Sequence, residues 1–290
     1  MTDKTFDNLP PAASVDVDAS VPIQQGGVTY KATPAQVATA GAPMLDIAFT
    51  GTFTNPQPFQ FTHIQFADQA EPEAGTWITA WPDMVGGGFA PDATLETLTV
   101  GGLAGIAASA SIGYFDALTA LSFPDLTRVT GTLNIGPLAV VADLDLGALE
   151  ETSRSLDISG LPELPALVLT SFRQASGFNL IDNASLISAS LPALENLGTG
   201  QFSIDCAALT TFSINSGVKR LGADITVIAP LNQASVDSLL VRLAALDGSG
   251  GTTSYDNQTV IIGGLSAAPG VSGAAAVVIL QSRGCTVTTN

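Results

Sequence analysis

Residues suited to acid–base or metal chemistry are few in this chain, and they do not form a recognisable set. The only histidine, His63, lies in a segment that alternates like a strand, whereas a hydrolytic triad or a histidine-based metal site needs several convergent groups. The glycine run at 86–88 precedes Phe89 and Pro91 rather than a helix, so it does not read as a phosphate-binding loop. We therefore expect no metal site and no cofactor.

Grouped carboxylates are the remaining catalytic candidates, because two acids flanking a glycosidic bond can hydrolyse it. The groups are Asp143 with Asp145, Glu150 with Glu151, and Asp68 with Glu71 and Glu73. The aspartates at 143 and 145 flank an inward leucine and would share the outer face of one strand. The glutamate pair falls at a corner, and the third group lacks the ordered spacing of a calcium loop. Each is interpreted as an exposed surface group, so the sequence predicts no enzyme.

The elements that carry these residues repeat along the chain. Equivalent apolar positions recur at steps of 23, 23, 23, 22 and 23 residues, at Leu95, Leu118, Val141, Leu164, Leu186 and Leu209. A second alternating pair follows about half a turn later in every copy: Ala110 and Ile112, Leu133 and Ile135, Leu156 and Ile158, Phe178 and Leu180, Phe202 and Ile204, Ile225 and Val227. A fixed period of this length indicates stacked repeats, here with two strands per turn in parallel ladders.

This pattern resembles the leucine-rich repeat superfamily, and the run 121–135 resembles the two-stranded turns of receptor L-type domains. In place of the asparagine that commonly forms a ladder at the corner, this chain has apolar residues: Leu103, Leu126, Leu149, Phe172 and Leu194. The resemblance implies a mainly β fold, a leucine-rich-repeat-like β-solenoid of about six turns. We expect it to have apolar corners rather than a horseshoe backed by helices.

Four segments are predicted along the chain. Residues 1–42 form an N-terminal arm, 43–94 a β-rich cap with strands at 45–52 and 59–66 and with Trp77 and Trp81 packed on the first turn, and 95–228 the solenoid. Residues 229–290 form a small α/β cap with helices at 234–246 and 274–282 and strands at 259–262 and 285–288. Its closing segment, 280–288, resembles the ends of leucine-rich modules in phage and bacterial surface proteins, with Cys285 where Trp is frequent.

The arm contains a hairpin at 22–25 and 28–31 turned by a glycine pair, followed by a helix start. It resembles the N-terminal segments of tail fibres, head fibres and other surface proteins of tailed bacteriophages, which implies docking onto the virion. The alternative is a generic flexible arm. The residues on which the attachment prediction rests are Leu9, Pro10, Val21, Pro22, Gly26, Gly27, Val28, Tyr30, Lys31, Thr33 and Pro34.

Composition excludes some functions. The formal charge is −17, from 26 acidic and 9 basic residues, and the basic residues are expected to be scattered rather than striped, so nucleic-acid binding is not predicted. No stretch is long and apolar enough for a membrane helix, and the N-terminus lacks the pattern of a signal peptide. The two cysteines, Cys206 and Cys285, are predicted as buried thiols, with a disulfide between cap and repeat as the alternative.

The leading hypothesis is a non-enzymatic structural protein on the virion surface, synthesised in the host cytoplasm. The arm would bind capsid or tail proteins, and the solenoid would serve as a fibre, a decoration or a module that contacts a host-surface protein or glycan. We expect a homo-oligomer, with a trimer as the first expectation. The alternatives are a bacterial leucine-rich surface adhesin and a tail-spike depolymerase.

Overall fold

The computed structural model describes residues 117–290 without a gap, together with 97–99, 103–106, 109–113 and 115 and the backbone of six strands nearer the N-terminus. Within these residues the fold is mainly parallel β-structure in stacked sheets, consistent with a solenoid, and two helices lie near the C-terminus. The prediction of a mainly β, solenoid-like chain is confirmed at this level.

The strands and helices follow one another in short units. In chain order they are β1 (Val21–Gln25), β2 (Val28–Ala32), β3 (Met44–Ile47), β4 (His63–Phe66), β5 (Thr76–Ile78), β6 (Met84–Val85), β7 (Thr97–Thr99), β8 (Leu103–Ile106), β9 (Ala110–Gly113), β10 (Ala120–Ser122), β11 (Arg128–Val129), β12 (Leu133–Ile135), β13 (Asp143–Asp145), β14 (Glu151–Thr152), β15 (Ser155–Ser159), β16 (Ala166–Val168), β17 (Gln174–Ala175), β18 (Gly177–Ile181), β19 (Ser188–Leu191), β20 (Asn196–Leu197), β21 (Phe202–Asp205), β22 (Thr211–Ile214), β23 (Arg220–Leu221), β24 (Ile225–Ile228), α1 (Gln233–Ala244), β25 (Thr259–Gly263), α2 (Val271–Ser282) and β26 (Thr286–Thr289).

Successive turns stack their strands into three faces. The first face has the parallel order β3-β4-β7-β10-β13 and then β16-β19-β22, the second has β5-β8-β11-β14-β17-β20-β23, and the third has β6-β9-β12-β15-β18-β21-β24-β25-β26. Equivalent positions pair in register from turn to turn, as Leu133 pairs with Leu156 and Leu156 with Phe178. Each turn therefore depends on its neighbours for its backbone hydrogen bonds.

The prediction of two strands per turn is wrong, because each turn has a third strand on the second face. From β11 onward these strands have two residues each. Only one side chain of each points inward, as with Val129, Ala175 and Leu197, which are at most 3% exposed. A strand with a single inward residue shows no alternation of apolar and polar positions. The sequence pattern therefore does not distinguish this strand from the corners beside it.

The predicted inward residues form one continuous core. The repeat-opening positions Leu118, Val141, Leu164, Leu186 and Leu209 are at most 1% exposed, and so are the described second-pair residues. The corner between the first and second faces is filled by a column of fully buried side chains, which we call the apolar corner: Leu126, Leu149, Phe172, Leu194 and Val218. Stacked identical positions thus bury surface that no single turn could cover.

After β24 the chain changes from three strands per turn to strand and helix. The four predicted C-terminal elements are confirmed, with shifts of one to three residues at most of their ends. Asn232 caps α1 by accepting a hydrogen bond from the Ser235 backbone N–H. The two strands, β25 and β26, extend the third face in parallel register, while α1 and α2 pack against each other.

Nearer the N-terminus, the predicted hairpin is confirmed: β1 and β2 pair antiparallel, with Val21 opposite Ala32 and Gln25 opposite Val28. The predicted strands at 45–52 and 59–66 correspond in part to β3 and β4. Other predictions fall outside the described residues: those for Leu9, Pro10, Gly26, Gly27, Thr33, Pro34, Trp81, Leu95, the acids at 68, 71 and 73, and the glycines at 86–88.

Candidate binding groove

The second face carries a regular ladder of polar and charged side chains. One of its ladders consists of Arg128, Glu151, Gln174, Asn196 and Arg220, each paired in register with the next. Arg173 and Lys219 precede two of these residues in the chain, and Arg154 occupies the adjoining corner. The expectation of scattered basic residues is therefore wrong, because a period near 23 residues brings five of the nine onto or beside one face.

Three of these cations have carboxylate partners. Arg128 lies 3.4 Å from Glu151, and Glu195 bridges Arg173 at 3.3 Å and Lys219 at 2.7 Å. The hydrogen bond and positive charge of Lys219, followed by the influence of Arg173, lower the pKa of the Glu195 carboxyl. The face is thus a mixed array of charges rather than a uniformly basic patch, and the absence of nucleic-acid binding stays a prediction.

The corner between the second and third faces varies in length, and this variation makes a recess. Two residues, 153 and 154, connect β14 to β15; one residue, Ser176, connects β17 to β18; and four, 198–201, connect β20 to β21. The short connection lies between two longer ones, so the surface is lower at Ser176. Packing is tight here, because a Cβ on Gly200 would lie 2.6 Å from the Ser176 carbonyl oxygen.

The recess is an open groove of about 430 Å³ that crosses four stacked strands of the second face. It is lined by Thr152, Ser153, Gln174, Ala175, Ser176, Asn196, Leu197, Gly198, Thr199 and Arg220. Three steps of about 4.8 Å give it a length of roughly 14 Å along the solenoid. Hydroxyls, side-chain amides and one guanidinium can all donate hydrogen bonds to a polar ligand in this groove.

Arg220 distinguishes this groove from the rest of the face. Arg128, Arg173 and Lys219 each have a glutamate within hydrogen-bond distance. The exposed Arg220 side chain has no carboxylate partner among the residues that the structure describes. A planar guanidinium with free donors is suited to bidentate binding of a carboxylate or phosphate. Arg154, also exposed, follows Ser153 at the rim.

None of the described acidic candidates lines the groove. Asp143 and Asp145 are exposed on the outer side of β13, and the Asp145 carboxylate accepts hydrogen bonds from Ser122 Oγ and Gly147 N. Glu150 is exposed and Glu151 pairs with Arg128. Within the described part of the chain, no three His, Cys, Asp or Glu side chains are grouped as a metal site would need.

Asn183 and Cys206 occupy equivalent buried positions in the corner that follows the third face. Asn183 is fully buried; its Oδ1 accepts from Leu161 N at 2.9 Å and its Nδ2 donates to Ile158 O at 3.1 Å. Cys206 takes the equivalent place one turn later, and burial raises the pKa of its thiol. Both Cys206 and Cys285 are buried and free, so the prediction of two thiols is confirmed.

The groove residues were missed by the sequence reasoning, although one signal for them exists. The single 22-residue step, from Leu164 to Leu186, contains the one-residue corner at Ser176. A regular period predicts the core, whereas a departure from it marks the place where the surface changes shape.

Comparison of the chain with known protein families, with curated proteins and with solved structures finds no match. Neither helix in the described part of the chain has the length and apolar character needed to cross a membrane. The fold and the groove place the chain among mainly parallel β proteins with stacked, solenoid-like sheets, here with a polar groove on one face.

Proposed function

We propose that this protein is a non-enzymatic bacteriophage virion surface protein whose leucine-rich-repeat-like solenoid binds an acidic glycan of the host surface. Residues 1–42 anchor it to other virion proteins, and the solenoid projects the second face outward. The attachment half of the proposal is supported by the hairpin in the arm and its resemblance to phage surface proteins. The groove across β14, β17, β20 and β23 carries the binding half.

The groove favours a glycan over an apolar ligand. Its lining consists largely of hydroxyls and amides and also includes the Arg220 guanidinium. The lining contains no aromatic or large apolar side chain apart from Leu197. Stacked strands repeat at a spacing comparable to one sugar ring of an extended chain, so equivalent donors recur along a bound strand. The unpaired guanidinium favours a sugar that carries a carboxylate.

Binding is tested with purified host-surface polysaccharides, each offered in native form and with its carboxylates chemically reduced. The full chain should bind an acidic glycan, and the reduced form should bind more weakly. Arg220→Ala should weaken binding roughly tenfold to a hundredfold, because a hydrogen bond to a charged group contributes about 1.5–3 kcal/mol. Arg128→Lys is the control, since Arg128 is on the same ladder outside the groove and the lysine keeps a positive charge beside Glu151.

Anchoring is tested separately by removing residues 2–42 and measuring incorporation into phage particles by immunogold electron microscopy. The truncated chain should retain its circular dichroism spectrum and its glycan binding but be absent from particles. The Arg220→Ala chain should show the reverse, normal incorporation without binding. Incorporation of the truncated chain would contradict the anchoring role, and release of new reducing ends from the polysaccharide would favour a depolymerase instead.

A further inference from the structure

The C-terminal end of the solenoid carries an apolar helix surface that no described residue covers. Only Gly273, Ala276 and Leu280 of α2 are buried, while Val271, Val278 and Ile279 are 92%, 66% and 43% exposed. Leu265, in the connection that leads to α2, is 85% exposed. A helix that is apolar on all sides is normally buried. One side of α2 packs against α1, whereas the side with Val278 and Ile279 has no packing partner among the described residues.

An open strand edge lies at the same end. β26 is the last strand of the nine-stranded third face and pairs only with β25 among the described strands. Thr286 N donates to Gln258 O, and in a parallel ladder alternate residues point to the same neighbour, so the N–H groups of Val287 and Thr289 point to the open side. Strands that must remain unpaired are usually protected by a proline, a lysine or a bulge. β26 has none of these features.

The two helices at this end are held in a fixed relation to each other. On α1, the Asp237 carboxylate accepts hydrogen bonds from Gly270 N at 2.7 Å and Ser272 Oγ at 3.1 Å, at the N-terminus of α2. Beyond α2, Arg283 donates to the carbonyl oxygens of Ala244 and Leu246, both at 2.8 Å, at the C-terminus of α1. The N-terminus of α2 and the C-terminus of α1 are thus each capped by a charge from the other helix segment, which fixes the exposed side of α2 relative to α1.

Charge distribution indicates what covers this surface. All 26 acidic residues of the chain lie at or before Asp256, and residues 257–290 contain one charged side chain, Arg283, which is occupied by the carbonyls of α1. Two copies of a chain with charge −17 repel each other over most orientations. Residues 257–290 contribute no carboxylate side chain to the C-terminal end, and the Asp237 carboxylate beside α2 is occupied by Gly270 N and Ser272 Oγ, so two copies repel each other least when they approach through this end.

We propose that the open edge of β26 and the exposed side of α2, with Leu265, form a two-fold interface between two copies of this chain. The β26 strands pair antiparallel across the axis, which extends the third face from one copy into the other, and the α2 helices pack side by side. An isologous contact of this kind is closed, because one strand edge accepts one partner. The surface therefore specifies a dimer rather than the trimer that the sequence led us to expect, and it does not rest on glycan binding.

The test is the mass of the full chain in solution by sedimentation velocity, over concentrations up to about 100 μM, where micromolar dimers are populated. We expect a species at twice the chain mass of 29.4 kDa. Val278→Glu should shift it to monomer, raising the dissociation constant at least about tenfold, and Thr289→Pro should do the same by removing an outward N–H. Val168→Glu, at a site 55% exposed on the first face, is the matched control and should remain dimeric.

Circular dichroism and thermal unfolding of each variant check that the monomer is folded. Amide exchange gives an independent readout: Val287 and Thr289 should gain protection as concentration rises in the parent chain but not in Val278→Glu. A monomeric parent chain at the highest concentration, a trimer, or a dimer that survives both substitutions would overturn the proposal.

Discussion

Two corners of the stacked turns differ in structure: one is packed into the core and the other borders the groove. The apolar corner between the first and second faces has one buried side chain per turn, from Leu126 to Val218, with no polar member. The corner between the second and third faces changes length from turn to turn and carries Ser153, Ser176 and Thr199. Regular repetition at the first corner supplies packing, whereas irregularity at the second creates the groove. The packed core and the candidate groove therefore occupy different corners of one repeat.

Removing one side chain from each corner should give the largest difference in the free energy of unfolding. Phe172→Ala empties a fully buried position, and large-to-small changes of this kind cost about 3–5 kcal/mol in the free energy of unfolding. Ser176→Ala, only four residues further along, should change stability by less than about 0.5 kcal/mol while leaving one fewer hydroxyl in the groove. Urea unfolding followed by circular dichroism measures both. Equal effects of the two substitutions would contradict the division between corners.

The third corner supplies an intermediate case, because its polarity is buried. Asn183→Ala should destabilise the chain by about 1–3 kcal/mol, since Leu161 N and Ile158 O would lose their partner inside the protein. The control is Asn215→Ala, which removes one hydrogen bond to Gly217 N at the surface and should cost less than about 0.5 kcal/mol. Thermal unfolding of the two variants compares them directly. If both variants lost the same stability, burial would not be what makes Asn183 important.

Sequence patterns predicted the parts of this fold that repeat. The recurrence of equivalent apolar pairs in every turn predicts that Phe178 and Leu180 point inward, and both are fully buried in the third face. No repeated pattern predicts the role of Asn183, because an asparagine occurs at this position in one turn only. Its partners, Leu161 N and Ile158 O, come together only in the folded corner. The C-terminal helices were predicted from their own spacing, independently of the repeat.

The candidate groove could not be predicted in the same way. Gln174, Asn196 and Arg220 are ordinary surface residues in the sequence, and they adjoin only when 22- and 24-residue steps are stacked in register. Of the acidic candidates that the structure describes, Asp143 and Asp145 lie on the outer side of β13, Glu150 is exposed, and Glu151 pairs with Arg128. The groove is thus defined by which residues adjoin across turns, and residue type alone does not predict it.

The smallest expected effect comes from the ion pairs of the second face, and it sharpens the contrast with the apolar corner. Because the folded-state pKa of Glu195 is lowered from 4.5, mainly by Lys219, its contribution to stability is present above about pH 4.5 and is lost as pH falls through the folded-state pKa. Lys219→Ala should therefore reduce the difference in unfolding midpoint between pH 6 and pH 3, roughly the range over which carboxylates titrate. Exposed pairs contribute little and are screened by salt, so the change should be far smaller than that of Phe172→Ala and should vanish at high ionic strength. An effect that persists in high salt would mean that Lys219 stabilises the face by packing its aliphatic stem rather than by its charge.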